Sequence, residues 1–385
     1  MKIAVLTWTY KNYGTLLQAY ALQKFLTDEG YNVSLINYIP KNENVIKYNK
    51  YNLKNISRKL KNRYKTLKEK NNMNLLDDKY KDGIKKRELL FKNFIKDNLP
   101  LTEEYKINEM KKLNHKYDAW IVGSDQIWSP KYLDGTFFLN FLDENTRKIS
   151  YAPSFGVEEL DNKAKKIIKP WLDSFNFISV REKAGQQILK YIIEKQVPVV
   201  LDPTLLFSCR EWNSIIKHRD EENKTDHQKY LLCYFLSENE TYWDIVKWIS
   251  EKYNYKVKVI PIKPLDFNNN YKKVLEIDPF DFVELIRDAE FVITDSFHGT
   301  IFSINYNKDF LTISRFNDSN KGSENSRLTS ILSYLGLKDR FIMGLDDIVD
   351  DNYELRISNE KYNFVGIELE KLRCKSKKYL SRSLK

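Results

Sequence analysis

The sequence predicts an α/β protein: two Rossmann-like domains facing each other across a cleft, with a basic helical insertion in the N-terminal half. Short apolar runs alternate with amphipathic helical stretches along most of the chain, the pattern that builds parallel sheets. The alternation falls into two blocks of similar size with a seam near Phe207–Asp226. The length of 385 residues also suits two domains.

The first block opens with the apolar run Ile3–Thr7, read as a buried strand. A polar turn follows at Lys11-Asn12-Tyr13-Gly14, and Thr15 starts a helix that ends near Gly30. Val33–Ile36 resumes a strand, completing a β-α-β unit. Residues 41–115 are rich in Lys and Asn, with a helical stretch at Lys85–Lys96 and a charge run between Lys54 and Lys70; this reads as a surface insertion. Strands return at Ala119–Gly123, Lys148–Ala152, Phe177–Val180 and Pro198–Leu201, with a helix from Glu182 to Ile193 between the last two.

The second block starts at Tyr230–Phe235. It continues with a helix at Thr241–Lys252, a strand at Val257–Ile260 and a helix at Pro279–Asp288. A strand at Phe291–Thr294, a helix after His298, a strand at Phe310–Ile313 and a helix at Ser326–Leu335 complete it. The expected domains are 1–207, 208–340 as the donor-binding half, and a C-terminal extension 341–385 ending in a basic helix from Glu368. That helix could lie on an anionic membrane surface or be a packed terminal helix.

The net charge of +11 favours an anionic partner, although widely spread Lys residues also fit a simple compositional bias. No nucleic-acid reader motif is visible, so nucleic acid is not expected as a partner. Cys209, Cys233 and Cys374 form neither a C-x-x-C pair nor a disulfide framework, which fits a reducing compartment. The first apolar run is too short for a signal peptide, and no stretch approaches the ~18 residues of a membrane span. A cytoplasmic protein is expected, with peripheral contact at the inner membrane face through its basic tail.

Chemistry is expected in five loops that follow strands, because ligands of such sheets bind at the carboxyl ends. The loop Tyr10-Lys11-Asn12-Tyr13-Gly14-Thr15 is either an anion or sugar site at a helix start or an ordinary β-α turn. In Ser124-Asp125-Gln126-Ile127-Trp128, Trp128 could stack on a sugar and Asp125 act as an acid or base; alternatively Asp125 is a cap and Trp128 is core. Arg181 ends an apolar strand, where its fork suits carboxylate or phosphate, or an ion pair with Glu182 or another acid. The turn Ser296-Phe297-His298-Gly299-Thr300 runs from a buried strand into a helix start, and His298 can contact an anion or transfer a proton. Arg327, beside Ser326 at a helix start, is a second anion clamp or a surface residue. No H-E-x-x-H, carboxylate cluster or G-x-S-x-G is present, so no metal site is expected.

Taken together these loops resemble the polysaccharide pyruvyl transferase family. The matching stretches are Asn12–Leu22, Trp120–Trp128, Ile149–Gly156, Val180–Glu182, Leu201–Thr204, Ile293–Thr300 and Asn325–Leu328, in family order. The resemblance implies a GT-B-like fold with the donor in the interdomain cleft. It implies phosphoenolpyruvate as donor and co-substrate, no further cofactor, and a pyruvate ketal formed on a glycan or lipid-linked oligosaccharide acceptor. By the family pattern Arg181 and the turn Ser296–His298 hold the donor. Ser296 stands where some members carry Arg, and Arg327 or a nearby Lys is then expected to supply the positive charge.

The expected assignment is therefore His298 and Asp125 as catalytic residues, Arg181, Ser296, Phe297, His298, Gly299, Thr300 and Arg327 on the donor, and Asn12, Tyr13, Gly14, Ser124, Gln126 and Trp128 on the acceptor. Two rival functions share these features: a nucleotide-sugar glycosyltransferase of the same fold, and a non-catalytic protein that binds anionic glycans or membrane surfaces.

Overall fold

A computed structural model describes residues 1–40, 76–216, 228–315, 325–350 and 352–385. The Lys54–Lys70 charge run, the insertion up to residue 75 and the seam from residue 217 to 226 lie outside the described residues.

The first sheet holds β1 (Lys2–Leu6), β2 (Asn32–Tyr38), β3 (Leu101–Tyr105), β4 (Ala119–Val122) and β5 (Arg147–Ser150), in the order β3-β2-β1-β4-β5. The second holds β6 (Tyr230–Tyr234), β7 (Lys256–Ile260), β8 (Lys272–Lys273), β9 (Phe291–Thr294), β10 (Asp309–Ile313) and β11 (Phe341–Ile342), in the order β11-β10-β9-β6-β7-β8. Every pairing is parallel. The apolar runs follow from burial on both faces. In β1, Ile3 and Val5 enter one core while Ala4 and Leu6 enter another.

One core is continuous between the halves: it takes Leu16 and Leu17 from the first helix (Tyr13–Asp28) and Leu232, Phe282 and Phe302 from the second half. Tyr13 stacks on Phe282 with ring centroids 5.0 Å apart.

The segment 76–115 is more than a surface insertion. It supplies the edge strand β3, and its helix Asp78–Asn98 braces both halves. Phe91 packs on Tyr13 and Phe94 on Phe280, while the Arg87 guanidinium donates to the Pro261 carbonyl at 2.6 Å. A lysine-rich sequence hides this role, because only every third or fourth residue of that helix faces the core.

Phe177–Val180 and Pro198–Leu201 are not ladder strands. They make only isolated bridges, Ile149 with Phe177 and Val180 with Val199. Pro198 lacks an N–H, and Ser150 and Ser179 exchange side-chain bonds to each other's carbonyls at 2.9 and 2.8 Å.

Past residue 340 the chain still serves the second sheet, through β11. The terminal helix Asn359–Leu384 then returns to the first half. There Arg373 Nε donates to the Leu205 carbonyl, Ser376 Oγ accepts from the Leu201 N–H, and the Tyr379 hydroxyl donates to the Ser150 carbonyl, each at 2.9 Å. Among the described residues, no helix is long and apolar enough to cross a membrane.

Candidate active site

In both sheets the strand order reverses near the centre, between β1 and β4 and between β6 and β9. Loops leaving such a switch point diverge and open a crevice. Here the two crevices face each other. A cleft of about 400 Å³ is walled by loops after β1 (Trp8, Tyr10, Asn12, Thr15) and β4 (Asp125, Gln126). Facing them are Leu236 after β6, Ser296, Phe297 and His298 after β9, Arg315 after β10, and Arg327.

His298 is held from two sides. Its ring lies against Gly14, where a β-carbon would sit 2.0 Å from Nδ1 and 2.3 Å from Cγ. Only glycine at that position lets the imidazole settle over the start of the first helix. Behind it, Nε2 is 3.6 Å from Asp202 Oδ2, beyond hydrogen-bond length but within ion-pair reach. Asp202 is buried and well supported. It accepts from Arg181 Nη1 at 2.8 Å, from Ser124 Oγ at 3.2 Å, and from the Thr204 hydroxyl and N–H at 2.8 and 3.1 Å. Burial alone would raise its carboxyl. His298, Arg181 and the Thr204 bond instead hold it well below the usual carboxylate range.

Asp125 sits on the opposite wall in a left-handed conformation, with φ of 66°. It accepts from Thr15 Oγ1 at 2.9 Å and from the Gln126 N–H at 2.8 Å, and lies 3.6 Å from Arg181 Nη2. Arg181 is therefore shared between two carboxylates. Burial works against its charge, but Asp202, Asp125 and Glu182 outweigh this and keep the guanidinium above its ordinary value. The Glu182 carboxyl is pushed up by burial, against the pull of Arg181 and of its bonds from Ser154 Oγ and the Phe155 N–H.

The Phe297 ring separates two guanidinium groups, with Arg181 4.5 Å and Arg327 5.6 Å from its centroid. Arg327 also reaches Gln126, whose amide oxygen, turned inward, accepts from it at 2.6 and 2.8 Å. This pair joins the two walls. Arg315 donates from Nε to the Asp295 carbonyl at 2.7 Å and lies 3.4 Å from the Asp295 carboxylate. Asp295 is itself a fastener between β9 and β6, accepting from the Leu236 and Ser237 N–H groups at 2.7 and 2.9 Å.

The expected site residues therefore divide. Asn12, Asp125, Gln126, Ser296, Phe297, His298 and Arg327 line the cleft. Arg181 lies behind it: the ion-pair alternative holds, with Asp202 and Asp125 rather than Glu182 as partners. Trp128 is core, not a sugar platform. It is fully buried, stacks on Phe138 at 5.0 Å and donates to the Phe137 carbonyl. Tyr13 is likewise buried between the halves, and Gly14 serves by making room for His298. Ser124 binds Asp202 and the Ala152 carbonyl. Ser296 caps the Phe297–Asn305 helix by accepting from the Gly299 N–H at 3.3 Å. Gly299 packs against Thr294, and Thr300 binds the Ser296 carbonyl and the Thr312 hydroxyl.

Sequence reasoning missed Trp8, Leu236 and Arg315 as wall residues; Tyr10 and Thr15 lie at the ends of the first loop it singled out. Arg315 was findable, because it follows the apolar run Phe310–Ile313 just as Arg181 follows Phe177–Val180. Trp8 directly follows the first strand. Tyr10 is exposed and meets Trp8 edge-on, with centroids 6.1 Å apart, so this loop adds aromatic surface to the cleft opposite Phe297.

Two parallel sheets meeting across such a cleft, with the terminal helix crossing back, define a GT-B-type fold. Solved structures agree. A protein described as a UDP-N-acetylglucosamine 2-epimerase from Listeria monocytogenes matches with a TM-score of 0.53 at 8% identity, covering 95% of this chain and 90% of its own. The UDP-N-acetylglucosamine 2-epimerase from Rickettsia bellii matches with a TM-score of 0.51 at 11% identity, covering 99% and 98%. At these identities the likeness speaks to the fold alone. No curated protein matches the sequence. The polysaccharide pyruvyl transferase profile matches residues 12–317, and the chain belongs to that family of transferases. Arg327 and the terminal helix lie beyond the matched stretch.

Proposed function

We propose that this transferase moves a pyruvyl group from phosphoenolpyruvate to two hydroxyls of a surface polysaccharide or its lipid-linked precursor, closing a pyruvate ketal. The observation that carries the reading is the split chemistry of the cleft. Arg315, Arg327 and the helix start at Ser296 lie on one wall, and Asp125 with Thr15 and Asn12 on the other. An anionic donor suits the first wall; a hydroxyl-bearing acceptor suits the second.

In this reading Arg315 and Arg327 bind the donor's phosphate and carboxylate, with the Ser296–His298 turn beside them. His298 contacts the phosphate or gives a proton to the methylene carbon, leaving an oxocarbenium-like centre at the neighbouring carbon. One sugar hydroxyl adds there and loses its proton toward Asp125. The carbon–oxygen bond to phosphate then breaks, and a second hydroxyl closes the ketal. Of the two hydroxyl protons, one replaces the proton given to the methylene and the other leaves with phosphate. Asp202 and Arg181 position His298 from behind without touching substrate. Phosphoenolpyruvate is the co-substrate, and no other cofactor enters the balance.

The cytoplasm is the compartment we assign, on the three free thiols of Cys209, Cys233 and Cys374.

The decisive experiment measures phosphate release from phosphoenolpyruvate in the presence of the host glycan, with the ketal methyl group followed by NMR. His298→Ala should lower turnover by ~10²–10⁴-fold; full turnover in that variant would remove His298 from the chemistry. A thermal-shift screen separates the rival donors. Phosphoenolpyruvate should raise the melting temperature and a nucleotide-diphosphate sugar should not.

A further inference from the structure

The terminal helix Asn359–Leu384 has two faces. Its buried face carries Tyr362, Val365, Leu369, Arg373, Ser376 and Leu380. The opposite face, at helical spacing, carries Phe364, Ile367, Lys371, Lys375, Lys378 and Arg382. Phe364 and Ile367 are exposed. Beside this face runs a groove of about 880 Å³ with Phe177, Pro198, Ile367 and Tyr379 in its lining and the four cations from Lys371 to Arg382 around it. The acid in the lining, Glu370, is paired with Arg373, and Lys371 with Glu368. An apolar trough bordered by an excess of cations fits one chemistry: an aliphatic chain under an anionic head group.

The groove also abuts the candidate active site. Lys375 lines both the groove and a small inner cavity of about 40 Å³. Phe297 lines that inner cavity and the cleft in turn.

We propose that this face docks on a bilayer of anionic phospholipid, with one lipid chain entering the groove and Lys375, Lys378 and Arg382 meeting the phosphates. This deepens the lipid-linked-acceptor part of the functional reading: the acceptor would be met at the membrane surface, on the side where the inner cavity reaches Phe297.

The experiment is co-sedimentation of the full chain with phosphatidylglycerol/phosphatidylcholine vesicles, against phosphatidylcholine alone. The wild type should bind the anionic vesicles and lose binding in high salt. The Lys375→Glu/Lys378→Glu/Arg382→Glu variant should bind at least ~10-fold more weakly, since each cation near such a surface contributes about fivefold. Ile367→Ser should weaken binding several-fold without changing the salt dependence. All these side chains are exposed, and an unchanged melting temperature checks the fold of each variant.

Absence of vesicle binding, equal binding to both vesicle types, or an unaffected triple variant would overturn the proposal. An unaffected Ile367→Ser would overturn the groove. Sedimentation velocity showing wild-type dimers that Ile367→Ser abolishes would assign the face to a second copy of the chain instead. None of these readouts uses phosphoenolpyruvate, so failure here leaves the donor question standing and a failed donor leaves the membrane result standing.

Discussion

Arg181 and Arg315 look alike in the sequence and do opposite work in the structure. Each follows an apolar run at the end of a strand or strand-like segment. Arg181 is buried between Asp202 and Asp125, behind Phe297 and His298. Arg315 follows β10 and lies on the wall of the cleft. A strand-end arginine therefore marks a functional region but not a function. What decides is where folding seats the guanidinium: Arg181 is enclosed by Asp202 and Asp125, whereas Arg315, paired with Asp295, still lines the cleft. Arg181 is fixed behind the cleft, and in the proposed reading Arg315 meets the anionic donor.

The largest way to break this comparison is Arg181→Met. It would leave Asp202 and Asp125 buried without their shared cation, a loss on the order of 3–5 kcal/mol of stability measured by urea unfolding. A small stability change with a large loss of donor affinity would reverse the roles given to the two arginines.

Gly14→Ala comes next. The added methyl must displace His298, which stands between the Asp202–Arg181 pair and the cleft. Turnover should fall by about 10²-fold, the scale expected for a catalytic group moved by an ångström, while donor affinity changes little. Unchanged turnover would show that the observed seat of His298 is not the working one.

Arg315→Met should weaken phosphoenolpyruvate binding by roughly ten- to a hundredfold, the worth of one charge-assisted hydrogen bond. Its loss of stability should be smaller than that of Arg181→Met, because Asp295 keeps its bonds from Leu236 and Ser237 when the Arg315 pair is lost. Calorimetric titration with phosphoenolpyruvate reads this directly.

The smallest effect concerns acid. The Asp202 carboxyl is depressed in the folded protein by His298 and Arg181. Its contribution is present above the unfolded carboxylate range and is lost as pH falls through the lower folded value. Removing Arg181 raises that folded value, so the acid limb of the stability curve should move to higher pH in Arg181→Met. Superimposable acid limbs would mean that Asp202 does not depend on Arg181.

The two β/α blocks, most strand and helix positions and the loops that line the cleft were legible in the sequence. Alternating apolar periodicity reports burial on both faces, and chain connectivity fixes which loops share the carboxyl edge. Departures arose where side chains replaced backbone pairing, as at Ser150 and Ser179. They also arose where a charged helix buried only a narrow stripe, as in Asp78–Asn98. Trp128 and Tyr13 read as ligand platforms because a large aromatic in a polar loop has two destinations. Periodicity over six residues cannot separate the core from the cleft.

By itself, the sequence determined the fold class, the family and the turn that carries His298, because those depend on local pattern and on ordered motifs along the chain. Only the tertiary structure decided that Gly14 makes room for His298, that Asp202 neutralises Arg181, and that Arg315 faces the cleft. Each of those is a contact between residues tens to hundreds of positions apart. Whether a charged side chain is enclosed in the scaffold or lines the cleft depends on the neighbours that folding brings to it.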